Sequence, residues 1–252
     1  MKDFELKHGN SESKLIFNKS QELVICHRTQ TYNNRRQIET YGPNWNIILA
    51  PRGRVRLRDG DQWIELNNGF SIFIPPFAVT EWDVDPGASE WISVMGLDDQ
   101  LPIPNQILLL RVFIDIPLDK TDLIQKLNLF RTQGKIIKEE IIQSAISSRF
   151  KKLLIENYSD SFTIQDLCLR AKIHRRVVYR AFKQSYGLSP IEYRHRIRIF
   201  TVLRWMSKGY KIIDSVTLAG IKDSKPFLIH FRRFMGITPK VIKTKGQFEL
   251  TM

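Results

Sequence analysis

The sequence predicts an α+β protein of two domains, a mainly antiparallel β domain followed by an all-α domain. Its 252 residues are enough for two domains that each bury a core. Short apolar runs separated by turn residues extend from Glu22 to about Ile116 and indicate strands, whereas apolar residues at helical spacing follow from Leu123 onward. Charge divides the chain near the same place: residues 1–133 hold 15 Lys and Arg against 17 Asp and Glu, and residues 134–252 hold 24 against 9.

The β region contains one clear hairpin and most of the tryptophans. In residues 54–66, RVRLRDGDQWIEL, the pair Asp59-Gly60 predicts a tight turn between two alternating strands. The region also holds Trp45, Trp63, Trp82 and Trp91. Indole rings line apolar ligand pockets and equally fill protein cores. The sequence therefore leaves open whether this domain binds a small effector, binds a protein, or only shapes a dimer.

A helix is predicted over residues 119–134, with Leu123, Leu127 and Phe130 on one face and Gly134 at its end. Two alternatives exist for this face, since it can pair two subunits or pack on its own β domain. A second helix is predicted from Lys135, and it gives the C-terminal part its first buried face. We expect three parts: a regulatory domain (1–118), a helical linker with a dimer contact as one alternative (119–134), and a DNA-binding domain able to fold alone (135–252).

The stretch from Thr163 to Gly187, TIQDLCLRAKIHRRVVYRAFKQSYG, predicts a helix-turn-helix. Thr163 can cap the first helix, and the turn is predicted at residues 172–174. At about 100° per residue, one face of the second helix carries Arg176, Tyr179, Arg180 and Lys183. The opposite face carries Val178, Ala181, Phe182 and Ser185. Such a basic face suits the major groove of DNA, although basic faces also occur where they contact only solvent.

An internal repeat favours the DNA-binding interpretation. Four residues recur 49 positions later: Phe182, Gly187, Ser189 and Pro190 return as Phe231, Gly236, Thr238 and Pro239. In each copy a glycine ends one helix, and a hydroxyl residue followed by proline begins the next. Ser189 and Glu192 predict a capping box for a helix over residues 190–208, about 28 Å long. This length is close to one helical repeat of DNA, roughly 34 Å.

These paired units resemble the DNA-binding domain of AraC/XylS-type bacterial transcription regulators, over roughly Ile141 to Lys243. The matching residues are Leu167, Ala171, Arg180, Phe182, Lys183, Arg198 and the two G-x-[ST]-P sequences. The resemblance implies a transcription regulator that places two recognition helices in successive major-groove segments of a promoter, with RNA polymerase as a partner. The segment from Gly69 to Pro76 is similar to the cupin-like barrel that precedes such domains, which implies a cupin-like regulatory domain.

The expected DNA contacts divide into two kinds. Base contacts are expected from Arg176, Tyr179 and Arg180, and phosphate contacts from Lys183, Arg232 and Arg233. The full expected set is Arg175, Arg176, Tyr179, Arg180, Lys183, Ser224, Lys225, Leu228, Ile229, Arg232 and Arg233. Because Leu228 and Ile229 cannot hydrogen-bond to bases, we expect the first recognition helix to carry most of the sequence discrimination. The alternative is that these two residues are buried against the barrel or a partner.

Several other functions are not expected. The histidines His8, His27, His174, His195 and His230 lack the spacing of a metal-binding cluster, so we expect no metal, no cofactor and no enzyme. Cys26 and Cys168 lie in different predicted domains, which favours reduced thiols. Without a secretory signal or long apolar span, a cytoplasmic protein with no membrane partner is expected. The alternative function is an interaction protein whose N-terminal domain binds a regulatory protein and which reaches DNA only with that partner.

Overall fold

The structure, a computed structural model, describes residues 5–8, 11–18, 23–32, 36–50, 55–66, 69–96, 101–138, 144–235 and 238–240. It confirms the predicted α+β class, with strands in the N-terminal part and helices in the C-terminal part. The strands are β1 (Glu5–His8), β2 (Ser11–Asn18), β3 (Leu23–Tyr32), β4 (Arg36–Thr40), β5 (Asn46–Ala50), β6 (Val55–Asp59), β7 (Gln62–Leu66), β8 (Phe70–Ile74), β9 (Val79–Val84), β10 (Gly87–Gly96), β11 (Ile107–Leu110) and β12 (Lys135–Ile137). The helices are α1 (Lys120–Gln133), α2 (Ala145–Glu156), α3 (Ile164–Ala171), α4 (Arg175–Tyr186), α5 (Pro190–Ser207), α6 (Ile212–Leu218) and α7 (Ser224–Met235).

The described strands form two antiparallel sheets. The larger sheet has the order β1-β2-β3-β10-β5-β8-β11-β12, and the smaller has the order β4-β9-β6-β7. The two sheets share an apolar core, in which Leu57 of β6 and Ile72 of β8 are fully buried. The mainly antiparallel β domain predicted from the sequence is therefore confirmed.

The predicted hairpin is present as β6 and β7, but its turn lies one residue later than predicted. Asp59 pairs with Gln62, so the two residues between them form the turn, and Gly60 has a φ of 61°. The Asp59 carboxylate instead accepts hydrogen bonds from the Lys135 ammonium and the Lys138 amide, each at 2.8 Å. These bonds hold the pKa of Asp59 below its usual value and tie the hairpin to β12.

The second predicted helix is present as α2, but its predicted start at Lys135 is wrong, because Lys135–Ile137 is strand β12 and pairs with β11. Two β-branched residues, Ile136 and Ile137, favour the strand, and Ile137 is buried in the core shared by the sheets. The next helix, α2, begins at Ala145 after the N-cap Ser144. The strand thus moves three residues of the predicted C-terminal domain into the N-terminal sheet.

Helix α1 confirms the predicted linker helix and decides between the two alternatives for its apolar face. Leu123, Leu127 and Phe130 are buried on the β domain. The Phe130 ring lies 6.0 Å from the Phe73 ring of β8, measured between ring centroids. This face is therefore occupied within the chain and is not available to pair two subunits, and a homodimer stays a prediction.

Helices α2 to α7 form two apolar cores that share α5. The first core contains Phe150 of α2, Leu167 of α3 and Phe182 of α4, and the second contains Val216 of α6 and Phe231 of α7. Helix α5 supplies Tyr193 and Ile197 to the first core, and Ile199, Phe200, Val202, Leu203 and Met206 to the second. The first turns of α5 thus belong to one unit and its last turns to the other.

The C-terminal helices also pack directly on the β domain. Val24 of β3 and Met95 of β10 belong to the same core cluster as Phe200 of α5. Gly42 permits this close approach, because a Cβ at that position would lie 2.4 Å from Cδ2 of Phe200. The helix that connects the two units is therefore held by the β domain as well.

Candidate nucleic-acid interface

Helices α3 and α4 form the predicted helix-turn-helix, and local caps set their boundaries. Thr163 and Asp166 form a capping box, in which the Thr163 amide donates to the Asp166 carboxylate at 2.8 Å and the Asp166 amide donates to the Thr163 hydroxyl at 3.1 Å. Both groups of Thr163 keep the pKa of Asp166 below its usual value. The turn is where it was predicted: Lys172 ends α3 with a φ of 54°, and the His174 side chain accepts a hydrogen bond from the Arg176 amide at 3.3 Å.

The inner face of α4 fixes the helix on its unit. Phe182 is fully buried, and its ring meets the Tyr193 ring of α5 edge-on at 5.4 Å. The hydroxyls of Ser185 and Ser147 lie 2.8 Å apart, which joins α4 to α2. The helix ends at Gly187, whose φ of 69° lies in the left-handed region that glycine adopts at little cost. The inward phase predicted for α4 is confirmed.

The outer face of α4 is basic and exposed. The side chains of Arg175, Arg176, Arg180 and Lys183 are exposed, and Tyr179 is half-buried. The Arg175 guanidinium lies over the Tyr179 ring, 5.1 Å from its centroid. Within the residues that the structure describes, neither Arg176 nor Arg180 forms a salt bridge. Both guanidiniums can therefore donate paired hydrogen bonds to an external acceptor.

The inward face of helix α7 is aromatic. Phe227 and Phe231 are buried, and their ring centroids lie 5.6 Å apart. The Asp223 carboxylate accepts a hydrogen bond from the Lys225 amide at 3.0 Å and so caps the start of the helix. Pro226 then falls in the first turn, where its missing amide costs no helical hydrogen bond.

The outward face of α7 is less polar than that of α4. The predicted contact residues Ser224, Lys225, Leu228, Ile229 and Arg232 are all exposed. Leu228 is 37% exposed and Ile229 is 68% exposed, so the β domain does not cover them. The side chain of Arg233 and the whole of Gly236 lie outside the described residues.

Helix α5 connects the two units and carries a pair of arginines whose contacts within the chain were not predicted from the sequence. Its capping box is confirmed, because the Ser189 amide donates to the Glu192 carboxylate at 2.8 Å. Arg194 and Arg198, one helical turn apart, donate hydrogen bonds to backbone carbonyls of the connector between α2 and α3 (157–163). The spacing of four residues was the available signal, since it places both side chains on one face.

A stacked histidine pair joins α5 to α7. The rings of His195 and His230 lie 4.2 Å apart between centroids, with their planes inclined by 20°. Burial, followed by the neighbouring His230, Arg198 and Arg194, lowers the pKa of His195 to about 4. His195 is therefore neutral at physiological pH, which permits the stacking.

A small polar cavity lies in the β domain. Its lining includes Arg28, Tyr32, Glu39, Tyr41, Trp82 and Trp91. The volume of about 10 Å³ has room for about one water molecule. Trp82 and Trp91 pack against each other at 5.6 Å between ring centroids, and Trp45 stacks on Phe73 at 6.1 Å. These three indoles are core residues here, and effector binding stays a prediction.

The described part of the chain also contains histidine, cysteine and carboxylate side chains away from the basic face of α4. There, no group of three or more histidine, cysteine, aspartate or glutamate side chains is placed to hold a metal ion. Cys26 and Cys168 are buried free thiols, and burial raises the pKa of Cys168. Of the helices that the structure describes, none has the length and apolar character needed to cross a membrane.

Parts of the chain are similar to known proteins. Residues 167–245 match a family model described as a helix-turn-helix domain. The uncharacterised HTH-type transcriptional regulator YisR of Bacillus subtilis is 27% identical over 138 residues, which are 53% of this chain and 48% of YisR. The transcriptional regulatory protein HptR of Staphylococcus aureus is 25% identical over 84 residues, which are 33% of each chain, so the alignments span half or less of these relatives. Among solved structures, ToxT from Vibrio cholerae matches distantly, with a TM-score of 0.44 and 15% identity over 90% of this chain and 99% of ToxT.

Proposed function

We propose that this chain, whose residues 167–245 form a helix-turn-helix domain of AraC type, is a sequence-specific DNA-binding transcription regulator. The outer face of α4 is the observation that carries the proposal. Arg176 and Arg180 are exposed there, on the second helix of a helix-turn-helix, and that helix enters the major groove in proteins of this architecture. The basic surplus of residues 134–252 adds a sequence-independent attraction to phosphates.

The residues take different roles on DNA in this proposal. Arg176 and Arg180 contact base edges, and Tyr179 does so with its ring beneath the Arg175 guanidinium. Lys183 contacts phosphates, together with Arg232 and Arg233 of α7.

Both units bind one promoter in this proposal. The 18 residues of α5 span about 27 Å, close to the helical repeat of DNA, so α4 and α7 occupy successive major-groove segments. RNA polymerase is the partner on the promoter. Control by an effector or a partner protein is supported by the packing of Phe200 of α5 beside Val24 and Met95 of the β domain. Binding to that domain then acts on the helix that carries both recognition helices.

The test is selection of binding sites from random duplex DNA by the purified full-length chain alone. We expect an enriched sequence with two half-sites about 10 base pairs apart. Affinity for this sequence should fall steeply between about 50 and 200 mM salt. Protein binding releases cations from DNA, and this release becomes less favourable as the salt concentration rises. Absence of any enriched sequence would contradict the proposal, and enrichment only after a second protein is added would favour the interaction-protein alternative.

A further inference from the structure

A polar junction holds the connector between α2 and α3 on α5. Arg194, which is 7% exposed, donates a hydrogen bond to the Asp160 carbonyl at 2.6 Å. Arg198 donates to the carbonyls of Tyr158 and Asp160, at 2.7 and 3.0 Å. These carbonyls lie outside any helix, so they need partners other than the helical backbone. Two guanidiniums thus hold the segment that leads into the first helix-turn-helix against α5.

The second unit reaches the same connector through Gly220. This residue follows α6, in the turn before α7, and its φ is 72°. A Cβ at Gly220 would lie 1.6 Å from the Ser159 carbonyl oxygen and 2.2 Å from the carbonyl carbon. Backbone therefore packs against backbone, and a side chain at this position would push the two units apart.

This contact matters because each unit packs on its own part of α5. Tyr193 and Ile197 belong to the core of the first unit, and the residues from Ile199 onward belong to that of the second. A helix fixes the distance between its ends, but long helices bend, which changes the angle between what they carry. The contact between Gly220 and Ser159 is a second attachment between the two units, and it lies away from the axis of α5.

We propose that the junction of Arg194, Arg198 and Gly220 with residues 158–162 sets the orientation of α4 relative to α7. These three are positioning residues, and they determine which spacing between two DNA half-sites the protein accepts. The inference rests on the proposed function, since spacing has meaning only if both helices bind DNA.

The geometry also shows which substitutions are informative. The Arg198 guanidinium spans two carbonyls with two nitrogens, whereas a lysine ammonium is a single point of charge on a flexible chain. Arg198→Lys therefore keeps the charge and loses the fixed geometry. Gly220→Ala adds one methyl group against the Ser159 backbone. Gly209→Ala is the matched control, because Gly209 also has a positive φ, 91°, but a Cβ there would have no neighbour within 4 Å.

The experiment measures the affinity of each full-length variant for the selected operator and for operators with one to three base pairs added or removed between the half-sites. We expect the Gly220→Ala and Arg198→Lys variants to bind the operator with wild-type spacing about 10- to 100-fold more weakly. Two linked DNA-binding units gain affinity only when both can contact their half-sites at the same time, and a changed orientation prevents this. The affinity of these variants for the first half-site alone should change less than about twofold, and their best spacing should shift or broaden. Gly209→Ala should keep the wild-type spacing profile.

The outcomes separate this inference from the proposed function. A wild-type chain that selects no operator contradicts the proposed function itself. A wild-type chain with a clear spacing optimum, shared by folded Gly220→Ala and Arg198→Lys variants, overturns only the role of the junction. Thermal unfolding establishes that each variant is folded, and Arg198→Lys carries the test if Gly220→Ala does not fold.

Discussion

Arginines of the C-terminal domain lie in two different kinds of surroundings. Arg176 and Arg180 on α4 are exposed and are free to contact an external acceptor. Arg194 and Arg198 on α5 are engaged by backbone carbonyls within the chain. All four carry the same charge, so composition does not distinguish them. Of these four arginines, the exposed pair is the one that reads bases in the proposed function.

We predict unequal specificity of the two recognition helices from their different outer faces. Arg176→Ala and Arg180→Ala should each lose about 1 to 3 kcal/mol of base discrimination, confined to one half-site, because each arginine can contact guanine bidentately. The double change Leu228→Ala with Ile229→Ala should alter affinity with little effect on sequence preference. Binding to a site-saturated operator measures both. Equal loss of preference in both half-sites after the arginine changes would rule out this asymmetry.

At the scale of elements, local chemistry accounts for the helices that could be predicted. The N-caps Thr163 and Ser189 act on amides within three residues, so the starts of α3 and α5 could be predicted from sequence. Strand β12 could not be predicted from the local pattern, because it pairs with a distant strand: Ile136 of β12 pairs with Leu108 of β11, 28 residues earlier in the chain. The turn after Asp59 lies one residue later than the Asp-Gly pattern indicates, because Asp59 pairs with Gln62 as the last residue of β6.

The contact between α5 and α7 should depend on pH. The pKa of His195 is lowered from 6.5 in an unfolded chain to about 4 in the folded one, mainly by burial and then by His230 and two arginines. The unfolded state binds more protons between these values, so the free energy of unfolding should decrease as pH falls from about 6.5 towards 4. His195→Phe keeps a ring for stacking and removes this titration. The free energy of unfolding of this variant should therefore decrease less over that pH range. Denaturant unfolding at several pH values measures the difference, and parallel curves for both proteins would exclude this role of His195.

For the whole molecule, the charge division could be predicted from sequence, but the contact between the domains could not. Val24 and Met95 are apolar residues of strands, and nothing in their spacing indicates that one face of the sheet covers α5. A fragment from Lys135 onward would carry β12 without β11 and would expose the Phe200 side of α5. The sequence predicts that this fragment folds alone, but it should be less stable than the same residues are within the full chain.

Docking of the domains can be tested through Gly42 and Phe200. Gly42→Ala should destabilise the full chain by about 1 to 3 kcal/mol, because the added methyl group meets the Phe200 ring in a packed core. Phe200→Ala removes that ring, so the cost of Gly42→Ala should be smaller in the Phe200→Ala background. Denaturant unfolding of the two single variants and the double variant gives the coupling energy. Strictly additive costs would show that the two residues do not touch in solution.

The most direct test of the central claim is the ratio of affinities for the selected operator and for a scrambled duplex of equal length. The wild-type full-length chain should prefer the operator by about 10³-fold or more. Changing Arg176 and Arg180 together to alanine should reduce this ratio strongly. Changing Lys183 and Arg232 to alanine should instead weaken binding to both duplexes and lower the salt slope by about 2, one for each lost phosphate contact. A wild-type ratio near one, or a ratio that survives loss of both arginines, would contradict the account.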